Sequence, residues 1–376
     1  MTAPVIPFAD IVADWSPIKQ DALSRIARIF DHGQFIMGPE VAELEDRLAT
    51  EINVGHAISC SSGTTALQIA LMALDVRPGD EVILPAFTFA APLECVLLLG
   101  ATPVLADIDP DTCLIDLDAV AALIGPKTRA MIGVSLYGRP VDFTPLQPLV
   151  ARREIAIIED AAQSFGASLH GKSSGGLTMI GCTSFFPTKP LGAAGDGGAL
   201  FTDDSAVAQR SREIRDHGQC GKYNHVRLGI NGRLDSIACA ALLARLDTAR
   251  PAIAQRRAIA RRYDVLFQGA ARRGQLLLQP VLEDGESACA QYVVQIERRE
   301  DVIQDMLQAG IQVAVHYPKA LHQQPAYRDR VSFTTLANAE LVARRALCLP
   351  IYPTLTEAQQ ERVASTLVAI LDRLAR

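Results

Sequence analysis

The chain has 376 residues, of which 49% are hydrophobic and 21% are charged, and its formal net charge is −6. This composition excludes disordered, collagen-like and disulfide-scaffold proteins, and the acidic balance argues against nucleic acid as a main partner. At roughly 100 to 200 residues per domain, the length predicts two packed units, or one large domain that carries a smaller one.

Short apolar runs alternate with amphipathic stretches between residues 40 and 245. The pattern predicts helices at 40–52, 64–75, 117–124 and 144–153, and strands at 57–60, 80–86, 102–108, 129–136 and 155–162. Such alternation indicates an α/β fold with a doubly wound, mostly parallel sheet covered on both faces. Because ligands of these sheets bind beyond the carboxyl ends of the strands, the residues that follow the strands are the first candidates for a site.

The composition changes after Asp247. Arginines cluster over residues 248–267 on a pattern of helical spacing, and residues 291–297 have the character of a strand. We expect the arginines to form a solvent-exposed helix face, since basic runs usually do. The sequence therefore predicts a large domain over 1–245, with residues 1–30 free to pack elsewhere, and a smaller α+β domain over 246–376.

The eight cysteines are scattered, with no CxxC pair or tight metal-ligand spacing. They predict reduced thiols in a cytoplasmic protein, without a metal site or a disulfide framework. The N-terminus is acidic where a secretory signal needs a basic start, and the longest apolar stretch, residues 96–106, is shorter than the ~20 residues of a membrane span. We therefore expect neither export nor a membrane partner.

A hydroxyl-rich loop, residues 61–65, follows the first predicted strand and leads directly into a helix. Free N–H groups, hydroxyl donors and the positive end of the helix dipole suit a phosphate group. An ordinary helix N-cap by Ser62 or Thr64 explains the same residues. The loop contains neither a Walker motif nor GxGxxG.

Two charged residues later in the chain have distinctive surroundings. Asp160 ends an apolar strand, where a buried carboxylate needs a partner: either a helix that it caps, or a protonated ring nitrogen as in pyridoxal phosphate enzymes. Lys189 lies between Pro187 and Pro190, next to two phenylalanines. An isolated surface lysine is the commoner case, but these neighbours favour a partly desolvated amine with a lowered pKa, suited to act as a nucleophile.

Two polar loops complete the candidate set. Asn231 and Arg233 precede an apolar helix, and His316 and Tyr317 lie in the predicted second domain. Each loop alone is compatible with a structural turn. Together they suit a polar, anionic, hydroxyl-rich substrate.

In chain order, the motifs SGTTAL, PAFTFAA, EDAAQSFGA, TSFFPTKPLG, GINGR and VHYP resemble those of the DegT/DnrJ/EryC1/StrS sugar aminotransferases. The resemblance covers nearly the whole chain, from near residue 34 to near residue 348. It implies the pyridoxal 5'-phosphate-dependent fold type I, similar to aspartate aminotransferase. The large domain would then bind the cofactor.

The same resemblance implies roles for individual residues. Lys189 would hold the cofactor covalently and move the proton, and Asp160 would keep the pyridine nitrogen protonated. Seven further residues would contact the cofactor: Gly63, Thr64, Thr65, Phe89, Gln163, Ser184 and Asn231. The neighbouring subunit would supply Asn231, which implies a homodimer with shared active sites.

Within the family, the stretches HGQFIMGPEV, SLYGRPVDF and AVHYPKAL resemble the branch that aminates UDP-2-acetamido-2-deoxy-3-oxo-glucuronate. This implies L-glutamate as amino donor and a role in surface polysaccharide (O-antigen) biosynthesis. Arg233 would then bind the uronate carboxylate, and His217, His316 and Tyr317 would line the sugar. The chain departs from this branch at Thr65 and Phe89, where aspartate and tyrosine are expected.

Several alternatives compete with this interpretation. Another 3- or 4-keto UDP- or dTDP-sugar is the nearest alternative substrate. A 3-dehydratase of the same fold would have a histidine in place of Lys189. A non-catalytic regulatory homologue would leave the joint presence of Lys189, Asp160 and the hydroxyl-rich loop unexplained, and a Rossmann dehydrogenase would need the missing GxGxxG.

Overall fold

The computed structural model describes residues 4–376. The α-helices are α1 (Ile11–Trp15), α2 (Lys19–His32), α3 (Pro39–Ile52), α4 (Gly63–Ala73), α5 (Ala91–Leu98), α6 (Leu117–Leu123), α7 (Gln147–Arg153), α8 (Ser205–Arg215), α9 (Ser236–Arg272), α10 (Arg299–Gln308), α11 (Ala337–Arg345) and α12 (Glu357–Leu374). The strands are β1 (His56–Cys60), β2 (Glu81–Pro85), β3 (Thr102–Ala106), β4 (Thr128–Val134), β5 (Ala156–Asp160), β6 (Ser168–Leu169), β7 (Lys172–Ser173), β8 (Ile180–Ser184), β9 (Gly198–Thr202), β10 (Leu277–Leu278), β11 (Gly285–Glu286), β12 (Tyr292–Gln295), β13 (Ser332–Phe333) and β14 (Ala346–Leu349).

The central sheet has eight strands in the spatial order β1-β9-β8-β5-β4-β2-β3-β13. Strand β9 is antiparallel to both of its neighbours, and the other adjacent pairs are parallel. Strands β5 and β9 are buried at every position, so helices and loops cover both faces of the sheet there. The predicted mostly parallel α/β sheet is confirmed.

The carboxyl ends of β1, β2, β4, β5 and β8 lie at one edge of this sheet, because these strands all run in the same direction. The chain segments that follow them therefore start from one edge. They carry the hydroxyl-rich loop, Phe89, Gln163 and Lys189. This topology positions the candidate site.

Helix α9 connects the two halves of the molecule. Its N-cap is Asp235, whose side chain accepts a hydrogen bond from the Ala238 N–H at 2.8 Å. The first half of the helix packs Leu242 and Leu243 against α3 and the sheet, and its second half places Tyr263 and Phe267 in a separate core. The helix runs unbroken through the predicted boundary at 245/246, so the domain division remains a prediction.

The C-terminal part has its own antiparallel sheet, β10-β12-β14, against which α9, α10 and α12 pack around one apolar core. Two of its short strands pair with the N-terminal part: β11 with β6, and β13 with the edge strand β3. The N-terminal segment runs along this C-terminal part. The Ile6 N–H donates to the Gly310 carbonyl at 2.9 Å, and the Gln312 N–H donates to the Ile6 carbonyl at 3.0 Å.

The prediction of a solvent-exposed basic face on α9 is wrong at Arg256 and holds only in part at Arg257, whose side chain is 18% exposed. Arg256 is 5% exposed, and its guanidinium donates to the Ile351 carbonyl at 2.8 Å. Arg250 and Arg261, on the same helix, are exposed as expected. Within residues 4–376, no helix combines the length and the apolar character that crossing a membrane requires.

Candidate active site

The hydroxyl-rich loop is tied together at the N-terminus of α4. Ser62 is the N-cap and accepts a hydrogen bond from the Thr65 N–H at 3.0 Å, while the Ser61 and Ser62 hydroxyls each lie 2.9 Å from the Thr65 hydroxyl. The N-cap interpretation is therefore confirmed for Ser62. Within the described chain, the N–H groups of Gly63 and Thr64 have no acceptor. They remain free to bind an anion at the positive end of the helix.

Glycine is required where this loop meets β8. A Cβ added to Gly63 would lie 2.7 Å from the Ser184 Cβ, which is closer than real Cβ atoms approach. On the other side, the Ser61 N–H donates to the Gly232 carbonyl at 2.9 Å. Gly63, Thr64, Thr65 and Ser184, which were all predicted to contact the cofactor, are thus brought together.

Asp160 ends β5 and is 6% exposed. One carboxylate oxygen accepts the Ala162 N–H at 3.0 Å, and within residues 4–376 no donor hydrogen-bonds to the other oxygen. Burial raises the pKa of Asp160. A buried carboxylate with an open oxygen is suited to receive a cationic N–H, which would favour its charged form.

Lys189 lies in a turn in which its own N–H donates to the Phe186 carbonyl at 2.8 Å. Burial lowers the pKa of Lys189, and the negative charge of Asp160 partly opposes this shift. In the described structure, the amine has no hydrogen-bond or ion-pair partner. It therefore loses its proton more readily than an exposed lysine does, which favours the neutral form that a nucleophilic amine needs.

Gln163 joins the large sheet to the C-terminal part. Its side-chain oxygen accepts the Tyr137 N–H at 2.8 Å, and its Nε2 lies 3.4 Å from the Tyr317 hydroxyl. Because the backbone N–H can only donate, it fixes the orientation of the amide. The Tyr317 hydroxyl therefore accepts from Gln163, and its own proton is available to a ligand.

The predicted pair His316 and Tyr317 lies over this region. The rings of Tyr317 and Phe89 are 6.0 Å apart, and Phe89 is 57% exposed. Burial, and then the positive charge of Lys189, lower the pKa of His316. His316 Nδ1 is buried without a partner in the described chain. Both residues thus lie with Lys189 and Gln163, as the motifs predict.

In the described chain, the other predicted ligands make no hydrogen bond to this cluster, although Gly232, which lies between Asn231 and Arg233, accepts from the Ser61 N–H of the hydroxyl-rich loop. His217 and Asn231 are exposed, and the Arg233 guanidinium is paired with the Asp216 carboxylate. In the described chain, no hydrogen bond or ion pair joins these three residues to Lys189, Asp160 or His316. Their assignment to the site remains a prediction.

Sequence reasoning did not single out two residues that hold the site together. Glu159 is fully buried, and its carboxylate accepts the Ser135 hydroxyl at 3.0 Å, the Gly175 N–H at 2.8 Å and the Ser174 hydroxyl. Tyr137 is buried with a left-handed backbone (φ 59°). An acidic residue at the centre of a buried strand was a signal for Glu159. The sequence held no comparable signal for Tyr137.

These residues fit pyridoxal phosphate. The free N–H groups of Gly63 and Thr64 suit its phosphate, the open oxygen of Asp160 suits its ring nitrogen, and the unpartnered amine of Lys189 suits its aldehyde carbon. The glycine at 63 keeps the loop close to β8 without a side chain in the way. These residues thus match the phosphate, the ring nitrogen and the aldehyde of the cofactor.

Comparison with known protein sequences leads to the same family of enzymes. The model of the DegT/DnrJ/EryC1/StrS aminotransferase family matches residues 17–368. The chain is 44% identical to the UDP-2-acetamido-2-deoxy-3-oxo-D-glucuronate aminotransferase of Pseudomonas aeruginosa, over 96% of this chain and 99% of that protein. It is 37% identical to a UDP-N-acetyl-3-dehydro-alpha-D-glucosamine 3-aminotransferase of Acidithiobacillus ferrooxidans, over 96% and 97%.

Solved structures share the fold. A DegT DnrJ EryC1 StrS aminotransferase from Brucella abortus superposes with a TM-score of 0.93 at 35% identity, over 97% of this chain and 99% of that chain. NtdA from Bacillus subtilis, solved with bound cofactor PMP, superposes with a TM-score of 0.91 at 28% identity, over 99% and 86%. The resemblance, the type I fold and the cofactor predicted from the motifs are confirmed. The chain belongs to the DegT/DnrJ/EryC1/StrS aminotransferase family and is a pyridoxal-phosphate-dependent sugar aminotransferase.

Proposed function

We propose that the enzyme transfers the amino group of L-glutamate to the 3-keto carbon of UDP-2-acetamido-2-deoxy-3-oxo-glucuronate, for surface polysaccharide (O-antigen) biosynthesis. The observation that carries this proposal is the 44% identity to the Pseudomonas enzyme of that name, which extends over 96% of the chain. The Acidithiobacillus relative also acts, by its name, on a 3-keto sugar of the UDP series.

The chain's own residues supply proton transfer and orientation. Pyridoxal phosphate, when bound, provides the electron sink for breaking the C–H bond of the amino donor. Lys189, with its lowered pKa, takes that proton and later returns it. Asp160 keeps the ring nitrogen protonated, and the N–H groups of Gly63 and Thr64 hold the phosphate.

Arg233 is the proposed contact to the uronate carboxylate, since its planar guanidinium can bind a carboxylate through two parallel hydrogen bonds. It is partly buried, with 20% of the side chain exposed, and is held by Asp216. His316 and Tyr317 are proposed to line the sugar, together with His217. Tyr317 would offer a hydroxyl proton, because its oxygen already accepts from Gln163.

A neutral 3-keto sugar nucleotide is the second candidate substrate. Asp216 already neutralises the charge of Arg233, which weakens its attraction for an anionic sugar. A relative 37% identical over 96% of the chain is named a dTDP-3-amino-3,4,6-trideoxy-alpha-D-glucose transaminase, in Streptomyces venezuelae.

A reverse-direction screen distinguishes the candidates. The holoenzyme is incubated with 2-oxoglutarate and a panel of 3-amino and 4-amino UDP- and dTDP-sugars, with and without a C6 carboxylate, and glutamate is measured. We expect the UDP-3-amino uronate to be the best donor. Arg233→Lys keeps the charge but loses the planar fork, and should raise the KM of the uronate more than that of a neutral sugar. Equal KM changes would contradict a carboxylate contact by Arg233.

We also propose a cytoplasmic homodimer in which Asn231 of one subunit completes the site of the other. Five large apolar side chains are exposed in two places. Phe30, Phe35 and Ile36 lie at the end of α2 and on the loop that follows it, near the start of α9, and Tyr223 and Leu228 lie on the loop after α8. A monomer would leave them in water, whereas a subunit interface would bury them. All eight cysteines are free, which suits a reducing compartment.

Mixed subunits test the shared site. Lys189→Ala and Asn231→Ala homodimers should each have little activity. In a mixed dimer, one of the two sites combines a normal Lys189 with a normal Asn231 from the other subunit. We therefore expect partial recovery of activity on mixing under exchange conditions, and an absence of recovery would argue against a shared site.

A further inference from the structure

Tyr137 occupies an unusual position between the cofactor side and the C-terminal part. It follows β4 at the edge where the candidate site lies, is buried, and has a φ of 59°. A bulky side chain in this left-handed region is an outlier, and such outliers persist only where surrounding contacts hold them. The neighbouring Gly138 fits tightly: an added Cβ would lie 2.8 Å from the backbone nitrogens of Cys289 and Ala290.

Both ends of Tyr137 are committed to residues of the site. Its N–H donates to the side-chain oxygen of Gln163 at 2.8 Å, and its hydroxyl donates to the backbone carbonyl of His316. Gln163 in turn lies 3.4 Å from the Tyr317 hydroxyl through its Nε2. The four residues therefore form a closed set of hydrogen bonds that joins the large sheet to the His316–Tyr317 segment.

We propose that Tyr137 is a positioning residue that fixes His316 and Tyr317 over the site, so that they meet the sugar substrate in one orientation. The Tyr137 hydroxyl holds the main chain of this segment through its hydrogen bond to the His316 carbonyl. Its N–H sets which way the Gln163 amide faces, and thereby the role of the Tyr317 hydroxyl. This inference rests on the proposed function, in which His316 and Tyr317 contact the sugar.

The variant Tyr137→Phe removes only the hydroxyl and keeps the ring and the backbone N–H. The His316–Tyr317 segment then loses this hydrogen bond and is held only by its flanks, where Ala314 pairs with Cys348 and the Leu321 N–H donates to the Ala86 carbonyl. The hydrogen bonds of Asp160 and the hydroxyl-rich loop do not involve Tyr137. The half-reactions with glutamate and with the keto-sugar nucleotide can be measured separately under single-turnover conditions. We expect kcat/KM for the keto-sugar half-reaction to fall by about tenfold to a hundredfold, since a misplacement of about 1 Å can cost about a hundredfold. The glutamate half-reaction should be unchanged.

Tyr263→Phe is the matched control. Tyr263 is also fully buried in the C-terminal part, and its hydroxyl also donates to a backbone carbonyl, that of Pro350, at 3.1 Å. Within residues 4–376, its hydrogen bond and its ring contacts involve only Pro350, Phe267 and Tyr292, none of which is a site residue. This variant should lose a similar amount of thermal stability and leave both half-reactions unchanged. Equal losses in both half-reactions of Tyr137→Phe, or a loss as large in Tyr263→Phe, would overturn the proposal.

A second readout does not depend on turnover. In the native protein His316 is held in a buried position near Lys189, and its pKa lies below the ordinary value. Released from Tyr137, the imidazole should move toward solvent and its pKa should rise toward 6.5. NMR titration of the histidine ring signals measures this, with His316 assigned from the signal missing in His316→Asn. An identical titration in Tyr137→Phe would contradict the positioning role.

Failure of this inference and of the proposed function can be told apart. If the wild-type enzyme accepts no UDP-3-keto uronate, the proposed substrate is wrong. Tyr137→Phe and Tyr263→Phe are then compared on whichever keto-sugar nucleotide the wild type does accept. If the substrate is right and Tyr137→Phe behaves as wild type, only the role of Tyr137 is wrong.

Discussion

Replacement of Gly63 by alanine tests the placement of the cofactor phosphate. The added Cβ would lie 2.7 Å from the Ser184 Cβ and 3.2 Å from its Cα. Non-bonded carbon atoms attract each other at separations of about 3.5 Å or more, so the Gly63 loop must move away from β8 by about 0.8 Å. Hydrogen bonds to charged groups contribute about 1.5–3 kcal/mol each. Weakening those from the Gly63 and Thr64 N–H groups should therefore cost about 3 kcal/mol, or about a hundredfold in cofactor Kd.

The assay is titration of the apoenzyme with pyridoxal phosphate and, separately, with pyridoxal, which lacks the phosphate. Gly63→Ala should weaken binding of the first far more than of the second. Gly195→Ala is the control, because its Cβ would meet no atom within 4 Å and its backbone φ is not in the left-handed region. It should bind both as wild type does. If Gly63→Ala binds pyridoxal phosphate as tightly as Gly195→Ala, the phosphate does not lie at this loop.

Three further predictions concern buried charges. Burial raises the pKa of Asp160, so at pH values above the pKa that Asp160 has in the unfolded chain, its ionised form destabilises the folded apoenzyme. Asp160→Asn should therefore raise the Tm of the apoenzyme at neutral pH and weaken cofactor binding. A lowered Tm would contradict the direction of this effect. Since burial lowers the pKa of Lys189, cofactor capture should speed up as pH rises, with a midpoint below 10.5, and that midpoint should fall further in Asp160→Asn. Glu159→Ala leaves the Gly175 N–H without its acceptor and opens a cavity, and should lower the free energy of unfolding by about 2–5 kcal/mol in denaturant titrations. Glu159→Gln should lower the free energy of unfolding much less, because the amide oxygen can still accept from the Gly175 N–H while the Ser135 and Ser174 hydroxyls rotate to accept from the amide nitrogen. Equal losses of stability in the two variants would refute this account.

The alternating part of the fold could be predicted well from the sequence. Each helix and strand predicted between residues 40 and 162 is present, with ends that differ by at most three residues. The apolar periodicity there is strong because both faces of the sheet are buried. Strands β8 and β9 were not predicted, and β9 runs antiparallel. Strand direction depends on the connections between strands, which periodicity does not encode.

Long-range contacts explain the other differences. Nothing local distinguishes Arg256 from the exposed Arg250 and Arg261, but α9 turns it toward the Ile351 carbonyl, 95 residues away. Nothing local marks β13 as a partner of the central sheet. Tyr137 has a left-handed backbone only because residues 163 and 316 hold it. In each case the determinant lies far along the chain.

The candidate site was more predictable than its surroundings. Asp160, Gln163 and the hydroxyl-rich loop follow strands that the alternating pattern predicts, so they were expected at one edge of the sheet. Lys189 follows β8, which was not predicted, and was found from its proline and phenylalanine neighbours. His316 and Tyr317 needed the motif resemblance, since they come from the other half of the chain. Residues supplied by a second subunit have no signature in the geometry of one chain. For Asn231, Arg233 and His217 the assignment still depends on resemblance alone.

The central claim is that Lys189 is the amine that holds the cofactor. The chain has six lysines, and the other five are Lys19, Lys127, Lys172, Lys222 and Lys319. Reduction of the holoenzyme with borohydride, followed by peptide mass spectrometry, identifies the lysine that carries the pyridoxyl phosphate group. The account predicts this mass on the peptide containing Lys189 and its absence in Lys189→Ala. The same mass on any other lysine, with Lys189 unmodified, would contradict it.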